Sequence, residues 1–201
     1  QSDQVYRGML IEDAATNQAV ESTRNSILVY QNRPINALFF ASSGGHTDSA
    51  KEVWGMDLPY IQGVPDVDQA APHYHWQKTF SEADIRQALK KMNIDIGTIQ
   101  HIQPIQWTAF KRVQKIEFTG TKGTVLVDAN PFRFAAGLKS TLWEVTSDPT
   151  GFLFQGRGWG HGLGMSQWGA RQMAEEGQSA AAILHHYYTH VSLIQLGSTM
   201  D

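Results

Sequence analysis

The chain has 201 residues, 41% of them hydrophobic and 17% charged, with a formal net charge of −3. That is a globular composition, long enough to bury a core, and it lacks the basic footprint of a nucleic-acid binder. No apolar run approaches the ~18 residues that a membrane span requires, and the absence of cysteine excludes disulfides and thiolate chemistry without fixing the compartment.

At the start, "QVYRGMLIE" (4–12) reads as a strand and "TNQAVEST" (16–23) as a turn or short helix. "SILVYQNRPINALFFASSGG" (26–45) reads as two strands around the Gln31–Pro34 turn, because an apolar run broken by Asn and Pro is a turn signal. "SEADIRQALKKM" (81–92) places Ser81 at an N-cap, an acid at Asp84, and Ile85, Ala88, Leu89 and Met92 on one face. That pattern predicts an amphipathic helix. "VQKIEFTGTKGTVLVDA" (113–129) predicts a hairpin around Gly120 and Gly123, and "LWEVTSDPTGFLFQG" (142–156) a second one turning at Asp148-Pro149. Two helices follow, "SQWGARQMAEEG" (166–177) and "SAAAILHHYYTH" (179–190), with Gly177 as a stop and Ser179 as a start. Strands and helices mix without βαβ alternation, so the expected class is α+β, mostly antiparallel, ending in two helices after a glycine-rich loop. One domain over residues 1–201 is expected. The chain opens at "QSDQVYRG" with no export signal, which predicts either a removed signal or a longer parent.

The run "GRGWGHGLG" (156–164) sets glycine at every second position. Glycine loses more conformational freedom on folding than any other residue, so such a run marks a turn, a bulge or a close approach to the backbone. It lacks the Lys of a P-loop and the G-x-G-x-x-G spacing of a dinucleotide site. If extended, it turns all its glycines to one face and Arg157, Trp159, His161 and Leu163 to the other. A smooth face would then admit a flat partner such as a sugar ring, with Ser166 capping the next helix. A tight crossing of strands explains the glycines equally well, and spacing alone leaves both readings open.

A second pattern is "ALFFASSGGHTDSAKEVWG" (37–55), an apolar strand ending in Ser42-Ser43-Gly44-Gly45 before a polar loop with His46, Thr47, Asp48, Glu52 and Trp54. Loops at strand ends commonly carry sites, although an ordinary Gly-Gly turn explains this one taken alone. Asp66, Asp68, His73 and His75, or His186 and His190 at i, i+4, are the residue types that bind metals. None matches a specific ligand motif, and no metal or other cofactor is expected.

Seven segments occur in one order: "QVYRG", "TNQAVEST", "ALFFASSGGHTDSAKEVWG", "PYIQGVPD", "FRFAAGLKST", "GRGWGHGLGMSQWGARQMAEEG" and "ILHHYYT". Together, from about residue 4 to about residue 196, they resemble the SpoIID/LytB family of sporulation and amidase-enhancer proteins. The resemblance implies peptidoglycan glycan strands as the substrate, an extracytoplasmic location, and either lytic transglycosylase activity or modulation of a cell-wall amidase. It also implies that the family's catalytic Glu lies in a helix upstream of "QVYRG", so no catalytic residue is assigned here; Glu12, Glu21 and Glu52 do not occupy the matching motif. A lytic transglycosylase needs only one carboxyl, with a raised pKa, to protonate the leaving oxygen and then accept the 6-hydroxyl proton. The zinc that some members hold with His and Cys has no Cys here. The expected substrate-binding residues are Ser42, Ser43 and His46 at the strand-end loop, and Arg157, His161, Ser166 and Gln167 at the glycine loop. His161 is expected to face the groove rather than the core. Trp54 or Trp159 offers a face for a pyranose ring, with core packing as the default for tryptophan.

Overall fold

The computed structural model describes residues 12–197, so the strand expected over 4–12 lies, but for Glu12, outside the described residues. In chain order the elements are α1 (Ala14–Ser22), β1 (Ser26–Tyr30), β2 (Arg33–Pro34), β3 (Phe39–Phe40), α2 (Ala50–Trp54) and β4 (His75–Phe80). Next come α3 (Glu82–Lys90), β5 (Ile99–Trp107), β6 (Val113–Gly120), β7 (Gly123–Asp128) and α4 (Ala129–Ala136). The chain continues with β8 (Trp143–Asp148), β9 (Gly151–Arg157), β10 (Met165–Ser166), α5 (Gln167–Glu175), α6 (Ala180–Tyr187) and β11 (Ser192–Gln195). This is an α+β chain of mostly antiparallel sheets in which two helices follow the glycine-rich loop. No helix of the described residues is long and apolar enough to cross a membrane.

The residues group into two compact units, one formed by the ends of the chain and the other by Asn36–His190. In the first, α1 starts at Asp13, whose carboxylate accepts the Thr16 N–H at 2.9 Å. β1 and β2 form a hairpin whose two turn residues, Gln31 and Asn32, both have positive φ (49° and 60°). That is the backbone a two-residue hairpin turn requires, because its twist matches that of the strands. β11 completes a three-stranded antiparallel sheet on the other side of β1.

In the second unit, two three-stranded sheets, β4-β9-β8 and β5-β6-β7, share a core with α3 and α4. Phe118, Phe132 and Phe154 are fully enclosed there, with Ile85 and Leu89 from α3. Burying each large apolar side chain contributes roughly 1.5–3 kcal/mol. α3 begins at the predicted cap: Asp84 N–H donates to the Ser81 hydroxyl (3.2 Å) while the Asp84 carboxylate accepts Ser81 N–H (2.9 Å). Its inward face is Ile85, Ala88 and Leu89, with Met92 partly buried against the same core. β4 arises from "HWQKTF", which sends Trp76 and Phe80 into the core. Between them Lys78 reaches the end of α4 and donates to the Ala136 and Gly137 carbonyls (2.8 and 3.2 Å). A cation there satisfies carbonyls that the helix leaves unpaired and complements its dipole.

Candidate functional site

The glycine run is not a flat strand. β9 ends at Arg157, and beyond it Gly158, Gly160, Gly162 and Gly164 all have positive φ (74°, 128°, 87° and 72°). The loop runs beside residues 38–48 and is stitched to them. Ser42 and Trp159 exchange N–H···O bonds of 3.0 and 2.7 Å, Asp48 N–H donates to the Gly162 carbonyl (2.8 Å), and Met165 N–H donates to the Leu38 carbonyl (3.0 Å). β3 and β10 then pair in parallel, Phe39 with Met165 and Phe40 with Ser166. This clasp between two distant segments is why the glycines are needed. A Cβ on Gly162 would lie 2.3 Å from the Arg112 guanidinium, and one on Gly164 would lie 2.1 Å from the Leu38 carbonyl oxygen. The glycine face is therefore filled by the protein itself, and the tight crossing replaces the smooth, ligand-facing surface.

Buried charges hold the other half of the clasp. Arg112 donates to Asp48 (2.8 Å) and to the carbonyls of Ser43 (2.7 Å) and His46 (3.2 Å), with side-chain exposures of 1% for Arg112 and 0% for Asp48. Burial pushes the Asp48 carboxyl up and the Arg112 guanidinium down, and their mutual attraction opposes both shifts. Asp48 Oδ1 and Arg112 Nη1 are enclosed with no hydrogen-bond partner. Asp68 orders the Ser-Ser-Gly-Gly turn by accepting the Ser42 hydroxyl (2.6 Å), Gly44 N–H (3.0 Å) and Gly45 N–H (2.9 Å). Asp66 accepts the Tyr187 hydroxyl at 2.6 Å; burial first, and this bond second, drive that hydroxyl's pKa up. The Tyr188 pKa is pushed up to about 12 by burial, while its hydroxyl donates to the Leu38 carbonyl (2.6 Å).

These contacts redistribute the seven expected site residues. Ser42, Ser43 and Ser166 are buried, and their hydroxyls are committed to the chain: Ser42 to Asp68, Ser43 as acceptor of Gly45 N–H, Ser166 as the cap that accepts Gly169 N–H. Burial and internal pairing give all three a place in the framework of the clasp. The first turn of α5 is not open to a ligand either. Trp168 N–H donates to the Ala41 carbonyl (3.1 Å), and the Asp66 carboxylate occupies the space left by the missing Cβ of Gly169. A protein carboxylate already sits where the helix dipole favours an anion.

His161 is half-buried. Its Nδ1 accepts Leu163 N–H (3.1 Å), so the hydrogen-bond network assigns the proton to Nε2, which donates to the Phe39 carbonyl (3.0 Å). Its ring also packs against Phe40 and Trp54 (centroids 5.2 and 5.0 Å). His161 thus staples the loop to β3 instead of reaching into a groove. His161→Ala is expected to cost roughly 1–3 kcal/mol of stability for the backbone groups left unpaired, measured by urea unfolding; unchanged stability would contradict the staple. His46 is half-buried as well, with Nδ1 against the Thr47 carbonyl and its ring stacked on Phe110 (centroids 3.3 Å).

What the clasp exposes is different. Arg157 and Gln167 are exposed, Trp159 is 44% exposed and Trp54 38%. Lys139 lies over the Trp159 ring (4.2 Å) and His73 meets its edge (4.9 Å). Both tryptophans therefore depart from the core-packing default. Asp48, Asp68 and Arg112, which hold the arrangement, were not among the expected site residues. Asp48 and Asp68 stood in polar loops open to inspection, whereas Arg112 in "FKRVQK" looks like any solvated basic cluster.

Residues 60–164 match the family described as Domain of unknown function (DUF8618). The chain is 33% identical over 184 residues to "Stage II sporulation protein D" of Bacillus amyloliquefaciens, covering 91% of this chain and 52% of that protein. It is 33% identical over 171 residues to the protein of the same name in Bacillus subtilis (strain 168), covering 85% and 48%. It is 26% identical over 250 residues to "Amidase enhancer" of the latter organism, covering 94% of this chain and 34% of that one. The chain thus spans about half the length of the sporulation proteins it matches. With homologues of these names at 33% identity over 85–91% of its length, the chain belongs to the SpoIID/LytB family.

Proposed function

We propose that this chain grips the glycan strands of peptidoglycan and serves a lytic transglycosylase whose proton donor lies outside the described residues. The observation that carries this reading is the clasp: a loop fixed by a buried ion pair and backbone bonds leaves Trp54, Trp159 and Arg157 exposed at its edge. Aromatic faces beside hydrogen-bond donors suit a polymer of sugar rings, whose rings are apolar on their faces and polar at their rims. The relatives' names, a sporulation protein and an amidase enhancer, agree with a role at the cell wall.

Asp48 and Glu52, the carboxylates of the 37–55 segment, fit a donor held elsewhere. A transglycosylase acid needs a raised pKa together with access to the glycosidic oxygen. Asp48 is raised by burial but fully enclosed against Arg112. Glu52 is tied down, accepting Ala109 N–H (3.0 Å) and the Ser49 hydroxyl (3.3 Å). The same facts favour a second reading, a non-catalytic wall-binding module that modulates an amidase.

Sedimentation with purified, peptide-free glycan strands tests the proposal. The 201-residue chain is expected to co-sediment and to leave few anhydro-muramic ends. Absence of co-sedimentation refutes glycan binding, and abundant anhydro-muramic ends would put the proton donor inside this chain.

A further inference from the structure

Away from the buried clasp, an open groove of about 920 Å³ runs along β8 and β9 to the end of β5, lined by His75, Gln77, Trp107, Glu144, Gln155 and Arg157 among others. Its polar lining follows from strand register. Gln77 pairs with Gln155, and Gln155 with Glu144, so three side chains form one row across β4, β9 and β8; His75 pairs with Arg157 in the next row but one on the same face. All five are exposed, and the side chains of Gln77, Gln155 and Glu144 make no hydrogen bond to another described residue. The row therefore offers amide donors, amide acceptors and a carboxylate that the protein does not itself use.

Trp107, 47% exposed at the end of β5, supplies an aromatic face to the same groove, and Lys111 adds a cation. Trp76 and Trp143 border it from the core-facing side of the same strands. The volume is near the top of the range for small-ligand sites, roughly 300–1,000 Å³, which accommodates more than one sugar ring.

We infer that this groove is a saccharide subsite in which Trp107 stacks on a pyranose ring, the Gln77–Gln155–Glu144 row bonds its hydroxyl and acetamido groups, and Lys111 with Arg157 meets the lactyl carboxylate of a muramic residue. The inference rests on the proposed glycan binding and adds where the strand is held. Arg157 joins the groove to the clasp, because it closes β9 and opens the glycine loop.

The test is titration of the chain with two probes: peptide-free glycan strands, which carry lactyl carboxylates, and chitohexaose, which does not. Trp107→Ala is expected to weaken both about tenfold, the scale of one lost stacking contact, with Trp107→Phe restoring most of the affinity. Lys111→Ala is expected to weaken only the glycan strands. If parental chain binds the strands and folded Trp107→Ala binds both probes within about twofold of it, the groove is not the subsite, while the proposed function stands. Equal weakening of both probes by Lys111→Ala removes the assigned carboxylate contact. If the parental chain binds neither probe, the proposed function and this subsite both fall.

Discussion

Asp48→Ala is expected to lower stability by roughly 3–5 kcal/mol, because it leaves a buried guanidinium without its counter-charge. At about 2–4 °C per kcal/mol for a domain of this size, the melting temperature should fall by about 6–20 °C. Arg112 would keep its bonds to the Ser43 and His46 carbonyls, but those dipoles cannot replace a carboxylate at 2.8 Å. The double change Asp48→Leu, Arg112→Met should be less damaging than either single loss of a partner, since it removes both desolvation costs together. Thermal melts of the three variants decide the matter. A single variant that melts with the parent would mean that the pair does not hold the clasp.

Gly164→Ala is the second large effect. The residue has φ +72°, and a Cβ would sit 2.1 Å from the Leu38 carbonyl oxygen, which already accepts Met165 N–H and the Tyr188 hydroxyl. Left-handed backbone costs an L-residue about 1–2 kcal/mol, and forcing β3 away from β10 adds an overpacking cost of about 1–3 kcal/mol. The expected total is about 2–5 kcal/mol. Gly177→Ala separates the two contributions: its φ is +87°, with nothing within 4 Å of the added Cβ, so only the backbone cost applies. Urea unfolding should rank Gly164→Ala well below Gly177→Ala, and equal losses would refute the close-approach account.

The elements legible in the sequence were those whose signals are local. The Ser81 capping box, the apolar face of α3, the Gly120–Gly123 and Asp148-Pro149 hairpins and the Gly177 stop each lie within a few residues of what they cause. β5 was hidden because "IQHIQPIQW" contains Pro104 and departs from regular pairing with β6. Its place at the edge of β5-β6-β7 permits both, since an edge strand can spare an N–H. The period-two glycines were visible, but the direction they face depends on Leu38, Phe40 and Arg112, all far away in sequence. For the same reason the site was only half legible. Arg157 and Gln167 keep the expected exposure, whereas Ser42, Ser43, Ser166 and His161 were drawn into the framework by partners that no local pattern announces.

The pairing of His75 with Arg157 has a bearing on how such a protein diversifies. The stretch from 75 to 157 enters and leaves at neighbouring points, carries its own hydrophobic core, and contains every residue lining the groove. A segment with adjacent ends can be lengthened, shortened or exchanged during descent without parting the structures on either side of it. Lineages that keep Arg112, and with it the buried charge that ties this stretch to Asp48, can therefore still rebuild the rest of the groove wall.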